Sequence, residues 1–147
     1  QEAIYDHVDE SYAITIMRRM MYRISADLAT IRKCQAIASG ESIGQVASQT
    51  LKSMRVINEV TNMPVLRPLV TFDKNDIIHI SKLIKTYDIS IRPFEDCCTI
   101  FRPQNPRTKP NYKSTIWLEQ QFNYEALIVE AINGTESRII SANCGDL

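Results

Sequence analysis

Gln35-Ala36-Ile37-Ala38-Ser39-Gly40-Glu41-Ser42-Ile43-Gly44-Gln45 decides how this chain is read. A short apolar run ends at a glycine, which predicts a buried strand and its exit turn. Ser42 and Gln45 have the spacing of a capping box, so a helix is expected to follow directly. Its inward positions are Ala47, Leu51, Met54 and Ile57, and it ends near Asn62, before Pro64.

Similar units flank this stretch. Upstream, Met17, Met20, Met21, Ile24, Leu28 and Ile31 recur at spacings of three and four, predicting a helix from Tyr12 to about Lys33. Arg18, Arg19 and Arg23 are expected on its remaining surface. Downstream, residues 65–70 resemble a strand whose second half is limited to an edge or a strand end by Pro68. Asp73 is suited to cap a third helix, with Asp76 in its first turn and Ile77, Ile80, Leu83 and Ile84 inward. Ile89-Ser90-Ile91 follows as a further strand. Two C-terminal helices are expected, from Thr115 to Gln121 and from Tyr124 to Ile132. The order helix, strand, helix, strand, helix is an α/β pattern with a parallel sheet.

The 147 residues suit one domain. Apolar residues make up 44%, enough for a core and against disorder. Acidic and basic residues number 17 each, so a nucleic-acid partner would have to use a local patch. One exists between Arg102 and Lys113, where Arg102, Arg107, Lys109 and Lys113 occur without an acid. A solvated loop is the plain alternative. Four cysteines in an ordinary composition do not make a disulfide scaffold. No signal peptide and no membrane-spanning run is visible, so a cytoplasmic protein is expected.

Chemistry concentrates in two places. Gly40-Glu41-Ser42 lies at a strand's carboxyl end, where α/β folds bind ligands, and a helix opening there favours an anion such as phosphate. Gly40 would let a ligand approach the backbone. Gln45 and Gln49 stand one turn apart on the expected helix, so Gln49 would face the same mouth. An ordinary strand-to-helix turn is the alternative. The second place is Cys97-Cys98, within Glu95-Asp96-Cys97-Cys98-Thr99-Ile100-Phe101. Adjacent cysteines make a strained disulfide and lack zinc spacing, and nearby cations favour a thiolate. Two small buried hydrophobes would read equally well. No cluster has metal-ligand spacing.

Three segments together carry a resemblance. Tyr12 to Met21, Gly40 to Thr50 and Glu95 to Phe101 are similar to the catalytic half of tRNA 4-thiouridine synthases. These are tRNA uridine sulfurtransferases that also feed sulfur to thiamine thiazole synthesis. The resemblance runs from about Gln1 to Thr135. It implies a Rossmann-like PP-loop ATPase domain of the adenine-nucleotide α-hydrolase type. It further implies ATP with Mg2+, adenylation of the uridine carbonyl oxygen, and sulfur delivered as a cysteine persulfide from a cysteine desulfurase.

By position, Cys97 matches the family's catalytic cysteine, and Arg18, Gly40 and Gln49 match its nucleotide-contacting positions. Cys98 is read as a resolving thiol or a buried neighbour. Arg102, Arg107 and Lys109 are the expected tRNA contacts. The family's Ser-Gly-Gly-x-Asp-Ser loop does not occur in this sequence, nor do THUMP or rhodanese domains. The chain is therefore read as the C-terminal part of the catalytic domain. By itself it is expected to be inactive, to bind ATP weakly or not at all, and to self-associate, a homodimer being the simplest form. The rival reading is a non-catalytic fragment or paralogue that binds tRNA or self-associates.

Overall fold

The computed structural model describes residues 1–94, 103 and 105–140. Its organising element is a long helix, α2 (Glu10–Ile31), preceded by a short helix, α1 (Glu2–His7). The Asp9 carboxylate starts α2 by accepting from the Ser11 amide. At the other end the chain turns out through Lys33, whose φ of 59° lies in the left-handed region.

After α2 come β1 (Ile37–Ala38), a 3-10 turn (Ala47–Gln49), α3 (Leu51–Asn58), β2 (Val65–Leu66) and α4 (Lys74–Leu83). The strands are parallel, with Ile37 opposite Val65 and Ala38 opposite Leu66. The sheet is much smaller than the sequence pattern suggests, but the alternation of helix and parallel strand is as expected. A one-turn helix, α5 (Tyr87–Ser90), then α6 (Tyr112–Glu119) and α7 (Tyr124–Asn133), complete the described elements.

The main core forms where α1, α2 and α6 meet. Ile4, Val8, Tyr12, Ala13, Ile16, Met17 and Leu118 are buried together, with Ile14, Met20 and Phe122 at their margin. Met54, Val56 and Ile57 of α3 and Ile128 of α7 are buried as well, on two helices that pack against α2.

Several expectations need correction. Residues 42–46 are not helical: Gly44 has a φ of +80°, which a right-handed helix excludes. The Ser42 hydroxyl donates to the Phe72 carbonyl at 2.6 Å, so it caps nothing. Thr50 is the cap of α3 instead, accepting from the Ser53 amide. Gln45 and Gln49 therefore do not share a helix, and Leu51 faces outward at 68% exposure. In α2, Met21 and Ile31 are exposed, whereas Arg19 is 1% exposed. Val70 turns back, its amide donating to Arg67, so the strand stops at Leu66. The capping box appears at Asp73 and Asp76, on α4. Leu83 and Ile84 are exposed, and Ile89-Ser90 belongs to α5 rather than to a strand.

Candidate functional site

The segment from Gly40 to Gln49 is an ordered loop. The Ile43 amide donates to the Val70 carbonyl at 3.0 Å, and the Gly44 amide donates to the Gln49 carbonyl at 3.0 Å. The first bond ties the loop to the segment that follows β2, and the second closes its Gly44–Gln49 half. Gly40 is open: a Cβ built there would meet no protein atom within 4 Å.

Glu41, next in sequence, is 2% exposed. A carboxylate that deep needs partners. Arg18 donates through Nη2 to Oε1 at 2.5 Å. Tyr22 donates its hydroxyl to Oε2 at 2.6 Å, and Arg67 donates through Nε to the same oxygen at 2.7 Å. Burial alone would raise this carboxyl, but the bonds from Tyr22 and Arg67 and the charges of both arginines outweigh it and hold it below its ordinary range. Burial and the bond to Glu41 push the Tyr22 hydroxyl upward. Arg18 is thus brought to the Gly40 end of the loop by the residue that follows the glycine.

Two buried side-chain polar atoms lack a partner among the described residues, Arg18 Nε and Gln49 Oε1. Buried polar atoms are normally satisfied, so such exceptions call for an explanation. Both belong to residues singled out in the sequence for nucleotide contact. An adenine nucleotide fits this donor set: Nε–H can donate to phosphate, and the Gln49 amide oxygen can accept from an N–H or hydroxyl.

The basic segment lies against the same loop. The Thr108 carbonyl accepts from the hydroxyls of Thr50 at 2.6 Å and Ser53 at 3.2 Å. Thr50 directly follows Gln49. The Arg107 amide donates to the Ser11 carbonyl at 3.0 Å, and its guanidinium lies 5.6 Å from the centre of the Tyr12 ring. Arg107 and Lys109 are both exposed. Cys97, Cys98 and Arg102 lie outside the described residues. Among the described residues no group of three or more His, Cys, Asp or Glu is placed to hold a metal, so none is assigned to Mg2+.

Sequence reading misses the charged residues that organise the site. Glu41 and Arg67 show no sign of their role, although Glu41 lies within the Gly40-Glu41-Ser42 segment. A second buried cluster is missed entirely. Glu119, 2% exposed, receives Arg19 at 2.7 and 3.0 Å and Arg23 at 2.6 and 3.1 Å. Arg19 also reaches Glu59 at 3.1 Å. The only local hint is three arginines within six residues of α2; their acids are distant in sequence.

The fold and site define an α/β protein with a two-stranded parallel sheet, followed by a loop whose buried Glu41 is held by two arginines. The thiamine biosynthesis protein family (ThiI) matches residues 1–124, and the chain belongs to that family. Among solved structures it is similar to a 4-thiouridine synthetase in complex with RNA and with bound ATP. The two share 41% sequence identity and a TM-score of 0.78, over 87% of this chain and 33% of that one. The chain thus spans about a third of the synthetase's length.

Proposed function

We propose that this chain is the C-terminal part of the catalytic domain of an ATP-dependent tRNA uridine sulfurtransferase. In this reading the two strands belong to a larger Rossmann-like sheet of the PP-loop type. The observation that carries the reading is the pair of orphaned buried atoms, Arg18 Nε and Gln49 Oε1. Their residues are the ones that the family resemblance assigns to the nucleotide, and the similar synthetase has ATP bound.

Arg18 and Gln49 hold the nucleotide, and Gly40 leaves room for it against the backbone. ATP, when bound, supplies activation of the uridine carbonyl oxygen. Cys97 is the nucleophile that carries the incoming sulfur as a persulfide, received from a cysteine desulfurase, and Cys98 is a second thiol beside it. The attachment of Thr108 to Thr50 supports this arrangement, because it brings the segment after the cysteines to the residue that follows Gln49. Arg102, Arg107 and Lys109 bind the tRNA backbone. Sulfur from the same centre also serves thiazole synthesis. We place the protein in the cytoplasm, acting as a homodimer.

The test is Cys97→Ala in the full-length protein. It should abolish 4-thiouridine formation while ATP binding persists. Thiolation at the wild-type rate would remove Cys97 from the mechanism. RNA binding by the wild type with no thiolation under any sulfur supply would instead leave a binding module.

A further inference from the structure

The two buried charge clusters beside α2 differ in their balance. Around Glu119, two arginines meet two carboxylates, Glu119 and Glu59. Around Glu41, two arginines meet one carboxylate. That cluster keeps one positive charge in excess among the described residues.

The excess falls on Arg18. Arg67 is fully engaged: Nε goes to Glu41, Nη2 to Asn58 Oδ1 at 2.8 Å and to the Tyr22 hydroxyl at 3.1 Å, and Nη1 faces the Val65 carbonyl at 3.5 Å. Arg18 makes its ion pair through Nη2 alone, and its buried Nε has no partner. A long side chain with one anchor keeps its remaining donors in a fixed direction only while that anchor holds.

We propose that Glu41 is a positioning residue whose buried carboxylate fixes Arg18 so that its free Nε–H and the cluster's surplus positive charge meet a phosphate group at the Gly40 end of the loop. The nucleotide reading is its foundation. Tyr22 and Arg67 act one step further back. They occupy Oε2, which leaves Oε1 to Arg18, and they keep the carboxylate ionised in spite of its burial.

Two readouts test this. The first is side-chain 15N NMR of the arginine Nε–H groups in the full-length protein, with Arg18→Ala supplying the assignment. In the wild type the Arg18 signal should be resolved and slow to exchange, and inorganic pyrophosphate should shift it. In Glu41→Gln it should move to the position of exposed arginines and lose its response, while the Arg19 signal, held by Glu119, stays in place. The second readout is calorimetry with ATP and with adenosine. Glu41→Gln should weaken ATP by about tenfold or more, as expected when one charge-assisted hydrogen bond is removed, and leave adenosine unchanged. The double variant with Arg18→Ala should be no weaker than Arg18→Ala alone, because the two residues act as one unit.

An unmoved Arg18 signal in Glu41→Gln, or additive losses in the cycle, overturns the proposal. If Glu41→Gln does not fold, Glu41→Asp keeps the charge and withdraws it by one methylene. It should then show the same selective loss for ATP, and wild-type affinity in that variant counts against the idea. A wild-type Arg18 signal that answers pyrophosphate while the full-length protein ignores ATP supports the anion site and refutes the nucleotide reading. No response to either refutes both.

Discussion

Arg18 and Arg19 are neighbours with opposite fates, and nothing in their local sequence separates them. Arg19 is almost completely buried and Arg18 keeps 18% of its side chain exposed. The acids that decide this lie 23 and 100 residues away. Periodicity reports apolar faces and is blind to a buried arginine whose partner comes from another helix. Gly40 and Gln49 stand out in the sequence by their place after an expected strand, whereas Arg18 is singled out only through the family resemblance. Glu41 and Glu119 carry a consequence for acid stability. Burial raises both carboxyls, but their arginine partners, with Tyr22 at Glu41, more than reverse this, and each ends below its ordinary value of 4.5. The folded state therefore holds these protons less tightly than the unfolded chain. The resulting stability is complete above about 4.5 and disappears as pH falls through the lowered folded values. Urea midpoints measured from pH 7 to pH 3 should drop on the acid side. In Glu41→Gln/Glu119→Gln that drop should shrink, and an identical profile in the double variant would refute the assignment.

Among the elements, the long helix and the two C-terminal helices are legible to within about three residues at each end, because their patterns are long enough to fix a period. The helix expected from Ser42 is not, since a capping box is a local signal and Ser42 has a distant partner in Phe72. Gly44 then blocks helical continuation with its positive φ. Ile89-Ser90-Ile91 fails for a different reason: three alternating residues suit a strand and a helical turn equally. Asp73, a cap as its sequence suggests, accepts from the amides of Asn75 and Asp76. Asp73→Ala should cost about 1 kcal/mol and lower the melting temperature by roughly 2–4 °C. Ser42→Ala should leave helix content unchanged by circular dichroism, although it loses the bond to Phe72. A loss of helix there would mean that Ser42 does cap one.

For the whole molecule, a net charge of zero conceals a local run of cations, Arg102, Arg107, Lys109 and Lys113. Electrostatic binding to RNA would depend on such a run and not on the total. If Arg102, Arg107 and Lys109 meet phosphates, replacing all three with Ala should flatten the salt dependence of tRNA binding. The slope of log affinity against log salt should fall by roughly 0.7–0.9 for each phosphate that is no longer neutralised. An unchanged slope would leave these residues as solvated loop. The fold class is legible from the helix–strand alternation. The size of the sheet is not, because each strand has two residues in register and such short runs have no period to read.

The position of α2 sets a gradient of protection across the site. This helix packs against α1, α3, α6, α7 and β1, so its central amides should exchange with deuterium mainly when the molecule opens as a whole. The loop from Gly40 to Gln49 has few backbone hydrogen bonds, among them those of the Ile43, Gly44 and Gln49 amides, and should exchange through smaller openings. Arg18 thus reaches from the helix expected to be best protected to Glu41 in the loop expected to be less so. Bound nucleotide should slow exchange many-fold across residues 40–49 and leave the amides around Ile16 nearly unaffected. Mass-spectrometric exchange with and without ATP would resolve the two segments, and equal slowing in both would mean that they open together.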